Sequence, residues 1–199
     1  MTEHYYTENP TSESRRKIIQ ANLRGKPFVF YTDRGVFSKD TIDFGTRLLI
    51  EQFQFPAVEG DLADIGCGYG PIGISLAKET KRQVYLVDVN ERAVELAKEN
   101  AKLNEVENVS VLQSDLFSEL RGFEFAAIVT NPPIRAGKQV VFSLYEQSFA
   151  HLKRKGELWV VIQKKQGAPS TMEKLKQWFA EVEVVHKKKG YYIIRARKN

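Results

Sequence analysis

Strand-like and helix-like segments alternate strictly along the chain from residue 61 onward. Short apolar runs such as VYLVDV and FEFAAIV predict buried strands, whereas ERAVELAKENAKL (91–103) has the apolar spacing of an amphipathic helix. Strands that alternate with helices form parallel βαβ units, in which helices cover both faces of an open sheet. The segment VEVVHKKKGYYIIRA predicts two closing strands around a Gly-containing turn, which add an antiparallel strand to this α/β fold.

The first 59 residues have a different pattern and are predicted to form an extension that packs on a core at 60–199. Residues 11–24 (TSESRRKIIQANLR) predict a helix, because Gly25 follows as a typical C-cap. FVFYT and the segment around GVF predict short strands, and 41–53 predicts another helix. A chain of 199 residues is long enough for one substantial core, so we expect a single compact unit.

The composition excludes several classes of protein. Cys67 is the one cysteine of the sequence, which rules out a disulfide framework and favours a reducing compartment. His4, His151 and His186 are far apart in the sequence and no metal-ligand spacing is present, so no metal is predicted. The amino terminus is polar, and no apolar run approaches the roughly 20 residues that a membrane span requires. We therefore predict a cytoplasmic protein.

Positive charge is concentrated in short clusters. The net charge is +5 and the pI is about 9.2, which weakly favours a polyanionic partner. Six basic side chains and no acidic one occur between His186 and Asn199, and two further clusters are 153–155 and 164–165. Two interpretations stay open for each cluster: ordinary solvated lysines, or part of a surface that binds nucleic acid.

The segment from Asp64 to Gly73 reads DIGCGYGPIG and directly follows the first predicted strand of the core. Its glycines permit a tight turn and the close approach of a ligand to the backbone, and the N–H groups of the next helix would face that ligand. The residues of this loop proposed to bind a cofactor are Gly66, Cys67, Gly68 and Gly70. The spacing also fits the dinucleotide fingerprint, so a nicotinamide or flavin enzyme is one candidate.

Two acidic residues help to choose the cofactor. Asp64 lies at the end of a strand just before the loop, where a carboxylate would repel a pyrophosphate and attract a cationic ammonium. Asp88 ends the second strand, 20 residues after Gly68, and could accept hydrogen bonds from both ribose hydroxyls of any adenosine cofactor. Asp64 thus favours a cationic cofactor, while Asp88 does not discriminate.

The segment TNPPIRAGK (130–138) follows the strand-like run FEFAAIV. Because proline cannot donate to a sheet ladder, the strand must stop at Pro132 and Pro133. The two prolines leave a stiff backbone whose carbonyls, together with the amide of Asn131, are hydrogen-bond acceptors. One interpretation is a simple strand terminator, and the other is a rigid cluster of acceptors that awaits a donor.

Four motifs resemble those of the class I S-adenosylmethionine-dependent methyltransferases. They are DIGCGYG, VDVN after the second strand, SDLF after the third and NPP after the fourth. The resemblance covers about residues 60–199 and implies a Rossmann-like, mostly parallel sheet with strand order 3-2-1-4-5-7-6 and helices on both faces. It implies S-adenosyl-L-methionine as the cofactor. The implied contacts are the glycine loop and Asp64 with the methionine part, Asp88 with the ribose, and Asp115 and Leu116 with the adenine; Asp115 is equally a candidate helix N-cap.

The same resemblance gives the NPP motif a catalytic role. The amide oxygen of Asn131 and the carbonyl of Pro132 would accept two hydrogen bonds from a target amino group, with Pro133 keeping the backbone rigid. Known targets of such sites are adenine N6, guanine N2 and the glutamine side-chain amide. Ile134 stands where these families usually carry an aromatic residue that stacks on the target.

Two basic residues follow the motif at once. Arg135 and Lys138 could meet a phosphate of a flipped nucleotide, or they could be ordinary loop charges.

Three further segments resemble the RsmC-type methyltransferases, which modify guanine N2 in small-subunit ribosomal RNA. These segments are GVFS (35–38), DTIDFGT (40–46) and the ending GYYIIRARK. This implies ribosomal RNA or the small ribosomal subunit as the partner, and by analogy Phe37, Ser38 and Thr46 near the cofactor. Longer members carry an additional amino-terminal domain, so RNA docking here must differ or rely on the basic carboxyl-terminal segment. A protein glutamine-amide or adenine-N6 methyltransferase, and a noncatalytic RNA-binding assembly protein, remain the alternatives.

Overall fold

The computed structural model of the protein describes residue 6 and residues 8–199. The strands in this part of the chain are β1 (Lys17–Leu23), β2 (Lys26–Thr32), β3 (Leu62–Ile65), β4 (Val84–Asp88), β5 (Val109–Gln113), β6 (Phe125–Thr130), β7 (Leu152–Gln163), β8 (Glu181–Lys188) and β9 (Tyr191–Arg197). The α-helices are α1 (Phe44–Gln52), α2 (Pro71–Ala77), α3 (Glu91–Leu103), α4 (Lys138–His151) and α5 (Ala168–Leu175).

Strands β3 to β9 form one seven-stranded sheet in the order β5-β4-β3-β6-β7-β9-β8. Counted from the first strand of this sheet, the order reads 3-2-1-4-5-7-6. The neighbouring pairs from β5 to β7 are parallel, whereas β9 is antiparallel to both β7 and β8. The Rossmann-like fold with seven strands is therefore confirmed, and the sheet is mixed because its last two strands form a hairpin.

The central strands are buried on both faces. Every residue of β3 (LADI) and of β6 (FAAIVT) is buried, which is typical of parallel strands covered by helices on each side. Helix α2 begins at Pro71, whose missing N–H costs nothing in the first turn. The side chain of Asn90 caps α3 by accepting a hydrogen bond from the N–H of Ala93. Local sequence thus starts both helices immediately after the carboxyl ends of their strands.

The helix predicted over 11–24 is wrong, because β1 and β2 form a separate antiparallel hairpin there. Arg24 and Gly25 both have positive φ, 52° and 76°, so Gly25 is a turn residue of the hairpin and not a helix C-cap. The alternation of exposed and more buried residues along β1 is that of a strand with one face on the core. The strand predicted around GVF is also wrong, since this segment consists of turns and bends.

Hydrophobic clusters cover both faces of the large sheet. One cluster includes side chains from β2, α1, α2 and α3, among them Phe30, Leu49 and Leu96. The other includes side chains from α4 and α5, among them Tyr145 and Leu175. Residues on both sides of the predicted boundary between 59 and 60 therefore share the first cluster.

No helix within the described residues is long and apolar enough to cross a membrane. Across residues 6 and 8–199, no three His, Cys, Asp or Glu side chains come together as metal ligands. His4 lies outside the described residues.

Candidate active site

A cavity opens at the carboxyl ends of β3, β4 and β6. Its wall is built from the glycine loop after β3, the end of β4, the NPP segment after β6 and the residues that precede and begin α1. Ligands of open α/β sheets bind in this position, outside the carboxyl ends of the strands.

The glycine loop turns sharply beneath the cavity. Gly66, Gly68 and Gly70 have positive φ of 75°, 57° and 101°, a conformation that disfavours other residues. A Cβ on Gly66 or Gly68 would meet nothing within 4 Å, and both residues line the cavity together with Cys67. Gly70 is not on the wall, because a Cβ there would lie 2.6 Å from the Cδ1 atom of Ile74. The loop thus presents bare backbone to a ligand at its first two glycines.

Asp88 lies on the cavity wall at the end of β4. Its carboxylate accepts hydrogen bonds from the N–H groups of Gly68 (2.8 Å) and Asn90 (2.9 Å), one at each oxygen. Burial raises the pKa of Asp88 to about 6 in spite of these bonds. The N–H of Val89 also donates to this carboxylate, which leaves acceptor capacity for a hydroxyl group of a bound molecule.

Asp64 is fully buried beneath the glycine loop and is not among the residues that line the cavity. Its Oδ2 atom accepts the N–H of Gly73 at 2.8 Å, while its Oδ1 atom has no hydrogen-bond partner among the described residues. Burial raises the pKa of Asp64 to about 7. A buried carboxyl group with an unsatisfied oxygen favours positive charge nearby, because that charge would offset the cost of ionising it.

Asn131 is held on the cavity wall by the first turn of α1. Its Nδ2 atom donates to the Oγ1 atom of Thr46 (2.9 Å) and to the Oδ2 atom of Asp43 (3.2 Å). Asp43 is itself the N-cap of α1 and accepts the N–H of Thr46 at 2.9 Å. A carboxylate only accepts, so this contact turns the amide nitrogen toward α1 and leaves Oδ1 as the acceptor available to a ligand.

Pro132 and Pro133 are buried and also line the cavity. The carbonyl of Pro132 accepts the N–H of Ile134 at 2.9 Å, which uses one of its two lone pairs. A 3-10 turn follows at Ile134–Ala136 and leads into α4. The motif is therefore a rigid loop in which one backbone carbonyl and one amide oxygen retain acceptor capacity.

Of the remaining predicted site residues, one lies on the cavity wall and four lie off it. Leu116 lines the cavity, but Asp115 is exposed beside it and begins a turn, since its carbonyl accepts the N–H of Ser118. Ile134 packs against the second hydrophobic cluster. Arg135 and Lys138 are exposed, and the Lys138 Nζ atom lies 5.2 Å from the centroid of the Phe142 ring; none of these three residues lines the cavity.

Several residues of the wall were not singled out as site residues from the sequence, among them Asp43, Tyr69 and Tyr6. Asp43 orients Asn131; it lies inside the helix predicted over 41–53, whereas in the structure it is the N-cap of α1. Tyr69 lies within the glycine loop and is almost fully buried. Tyr6 comes from the amino-terminal segment, and its burial, with Asp115 and Asp88 nearby, raises its pKa to about 12. No local pattern distinguishes Tyr6, because only the tertiary fold brings it to the cavity.

Phe37, Ser38 and Thr46 line the same cavity. They belong to the amino-terminal segments GVFS and DTIDFGT, so residues before position 60 complete the wall.

The sequence is similar to those of known methyltransferases. Residues 27–195 match the family described as Methyltransferase small domain. The uncharacterized protein YbxB of Bacillus subtilis is 58% identical over 200 residues, and the match covers 100% of both chains. Ribosomal RNA small subunit methyltransferase C of Vibrio cholerae is 31% identical over 187 residues, which is 92% of this chain and 53% of that protein.

The structure is similar to a solved methyltransferase with a bound cofactor. The 16S rRNA N2 G1207 methyltransferase RsmC of T. thermophilus, in complex with AdoMet and guanosine, superimposes with a TM-score of 0.84 at 25% identity. The match covers 96% of this chain and 52% of that one, so the chain spans about half the length of these RNA methyltransferases. A family match across most of the chain, together with this fold, shows that the protein belongs to the methyltransferase small domain family.

Proposed function

We propose that the protein is an S-adenosylmethionine-dependent methyltransferase that acts on an exocyclic amine of a ribosomal RNA base, with guanine N2 of the small-subunit RNA as the first candidate. The observation that carries this proposal is the orientation of Asn131. Its amide nitrogen donates hydrogen bonds to Asp43 and Thr46, so its oxygen is the acceptor that faces a ligand. The cavity that would hold this ligand is lined by the glycine loop. Similarity to the RsmC methyltransferases of V. cholerae and T. thermophilus supports the RNA substrate.

The acidic and glycine residues of the cavity fit S-adenosylmethionine. When bound, this cofactor supplies a methyl group on a positively charged sulfur. Asp88 would hold the ribose through its remaining acceptor capacity, and Leu116 would contact the adenine. The unsatisfied Oδ1 atom of Asp64 would lie beneath the positively charged part. An ionised Asp64 would repel a pyrophosphate, which disfavours the dinucleotide alternative.

The NPP motif would position the amine that receives the methyl group. An exocyclic amine is planar, and its lone pair is delocalised into the ring, so it is a poor nucleophile until it is held in place. Asn131 Oδ1 and the second lone pair of the Pro132 carbonyl would accept its two N–H groups. Both acceptors are neutral and neither takes up the proton, which would pass to water. Alignment of this kind can contribute about 7–11 kcal/mol to lowering the barrier.

The choice among amines rests on the relatives and on charge. Ile134 lies off the cavity wall, so the stacking group usual after NPP is not supplied from that position. The net charge of +5 favours RNA over a protein glutamine as the substrate. Adenine N6 would fit the same two acceptors and is distinguished by the experiment below. We place the activity in the cytoplasm, where ribosomes are assembled.

Tritiated S-adenosylmethionine tests the proposal directly. The purified protein is incubated with ribosomal RNA, with small subunits and with ribosomal proteins from a strain that lacks the gene. We expect label in the RNA, and mass spectrometry of the nucleosides then separates N2-methylguanosine from N6-methyladenosine. Label confined to protein would overturn the RNA assignment, and no label in any fraction would favour a noncatalytic assembly factor. Calorimetry with S-adenosylmethionine and NAD tests the cofactor separately.

A further inference from the structure

We infer that five lysines beside the catalytic cavity form the surface that binds the phosphate backbone of the RNA substrate. We call this set the lysine cluster; it consists of Lys164, Lys165, Lys187, Lys188 and Lys189. The inference rests on the proposed function, because it assumes that the substrate is RNA. It adds where that RNA is held and which side chains hold it.

The fold joins two segments that are far apart in the sequence. Lys164 and Lys165 follow β7, Lys187 and Lys188 are the last two residues of β8, and Lys189 lies in the β8–β9 turn. The backbone N–H of Lys164 donates to the carbonyl of Gly190 at 2.8 Å, which connects the two segments. All five lysine side chains belong to exposed residues, so one basic surface forms at the carboxyl end of β7.

The charge of this cluster is not neutralised within the protein. None of its five lysines forms an ion pair with a carboxylate in the part of the chain that the structure describes. The other basic residues of the carboxyl-terminal segment do have partners. Arg195 pairs with Glu183 and Arg197 with Glu181, and the Lys198 Nζ atom donates to two backbone carbonyls. The segment therefore divides into a structural part and a part whose charge is available to a ligand.

The cluster is linked to the catalytic cavity through the start of α1. The Nζ atom of Lys189 lies 4.8 Å from the centroid of the Phe44 ring, and that ring is 5.4 Å from the ring of Tyr191. Tyr191 also packs so closely on Gly45 that a Cβ there would lie 2.6 Å from its ring. Phe44 directly follows Asp43, which orients Asn131. A phosphate on the cluster would thus be close to the base in the cavity.

The turn that carries the cluster has an unfavourable residue at its tip. Lys189 and Gly190 form a two-residue turn in which both φ values are positive, 49° and 78°. Turns of this type favour Asn or Asp before Gly, because a lysine pays a steric cost in the left-handed conformation. Asparagine at position 189 would therefore remove the charge and preserve the turn.

Lysine is suited to contacts with phosphates. Its ammonium is a compact point charge that does not read sequence, and contacts with phosphates fix the register of a nucleic acid while contacts with bases specify it. In this arrangement the cluster would hold the backbone next to the target nucleotide, and the cavity would select the base. This would provide a docking surface within a chain that spans about half of its longer relatives.

Two triple variants with the same change of charge test the inference. One is Lys187→Gln/Lys188→Gln/Lys189→Asn, in which asparagine suits the left-handed position and so protects the fold. The control is Lys153→Gln/Arg154→Gln/Lys155→Asn at the opposite end of β7, where Lys155 also has a positive φ of 66°. Binding of a fluorescein-labelled single-stranded RNA is measured by anisotropy from about 0.05 to 0.3 M KCl, the range in which counterion release dominates.

We expect the slope of log Kd against log salt to fall by about 2 in the cluster variant, since each lysine on a single strand contributes about 0.7. Binding at 0.1 M salt should weaken about 10- to 100-fold, and the control should match the wild type. Equal losses in both variants, or no loss in either, would overturn the inference. If the wild type binds S-adenosylmethionine but no RNA, the proposed substrate fails as well; if RNA is methylated and the variants behave alike, only the docking surface fails.

Discussion

Asn131 is the residue on which the proposed chemistry depends. Replacement by alanine removes the amide acceptor but leaves the glycine loop and Asp88 in place. We therefore expect Asn131→Ala to lower kcat about 100-fold or more, as loss of an orienting group can, while the Kd for S-adenosylmethionine stays within about threefold. Methyl-transfer assays and calorimetry on the same protein measure the two quantities.

The control for this variant is Gln139→Ala, which alters an exposed amide in the first turn of α4 away from the cavity wall. It should retain the turnover of the wild type. Unchanged turnover in Asn131→Ala would show that this amide does not hold the substrate amine.

The buried carboxyl group of Asp64 should make the stability of the protein depend on pH. Its pKa is about 7 in the folded protein and 3.8 in the reference state, so the folded state keeps a proton that the unfolded chain has lost between these values. Stability should consequently decrease as pH rises from about 4 to 7. Asp64→Asn mimics the protonated group. The free energy of unfolding of this variant, relative to that of the wild type, should therefore increase through this window by at most about 4 kcal/mol.

Urea unfolding of both proteins at several pH values measures that difference. Asp88 titrates in both proteins, so the difference reports the titration of Asp64 together with its coupling to the Asp88 charge, which also raises the Asp64 pKa. A constant gap between the two proteins across this range would mean that Asp64 is not the titrating group.

At the residue scale, sequence reasoning found the groups on the strand ends but not their partners. Asp64 and Asp88 lie at the ends of recognisable strands and Asn131 directly follows one, and the fold brings all three around one loop. Asp43 and Tyr6 were not proposed, because their positions at the cavity depend on how the amino-terminal segment packs. Contacts between distant segments leave no periodic signal in the sequence.

At the element scale, the parallel core was predictable and the amino-terminal hairpin was not. The βαβ pattern identifies strands and helices by their different apolar spacing. In β1 the stretch KIIQANL contains residues compatible with both states, and Gly25 serves as well in a hairpin turn as in a helix C-cap. Pairing with β2 decides the outcome, since it satisfies the backbone groups of both strands.

The packing of α2 on β4 depends on a glycine. A Cβ on Gly73 would lie 2.6 Å from the Cγ atom of Leu86, a fully buried side chain. We expect Gly73→Ala to destabilise the protein by about 1–3 kcal/mol, as overpacking of a core does, despite the higher helix propensity of alanine. Urea unfolding gives this value.

Leu86→Val in the Gly73→Ala background tests the cause. A smaller side chain should relieve the clash and make the double variant less unstable than the sum of the two single variants. If the stability changes of the two single variants simply add, the clash with Leu86 is not the cause of the destabilisation by Gly73→Ala.

At the scale of the whole molecule, the amino-terminal segments and the parallel core share both a hydrophobic cluster and the cavity wall. Phe53 of the amino-terminal region packs on the buried Trp159 of β7 with ring centroids 5.2 Å apart. Val36, Phe37 and Thr46 face the same cavity as Asp88. A ligand in that cavity would therefore contact both parts and should stabilise them together.

Thermal unfolding with and without ligand measures this coupling. A ligand that binds only the folded state adds about 2.7 kcal/mol at 100 times its Kd. For a chain of 199 residues this corresponds to an increase in Tm of about 5–10 °C. We expect S-adenosylmethionine to raise the Tm by this amount in far-UV circular dichroism and in tryptophan fluorescence alike, and NAD at the same concentration to leave it unchanged. An increase in Tm with NAD would indicate that the glycine loop binds a dinucleotide. An increase in only one of the two signals would show that the two parts unfold separately.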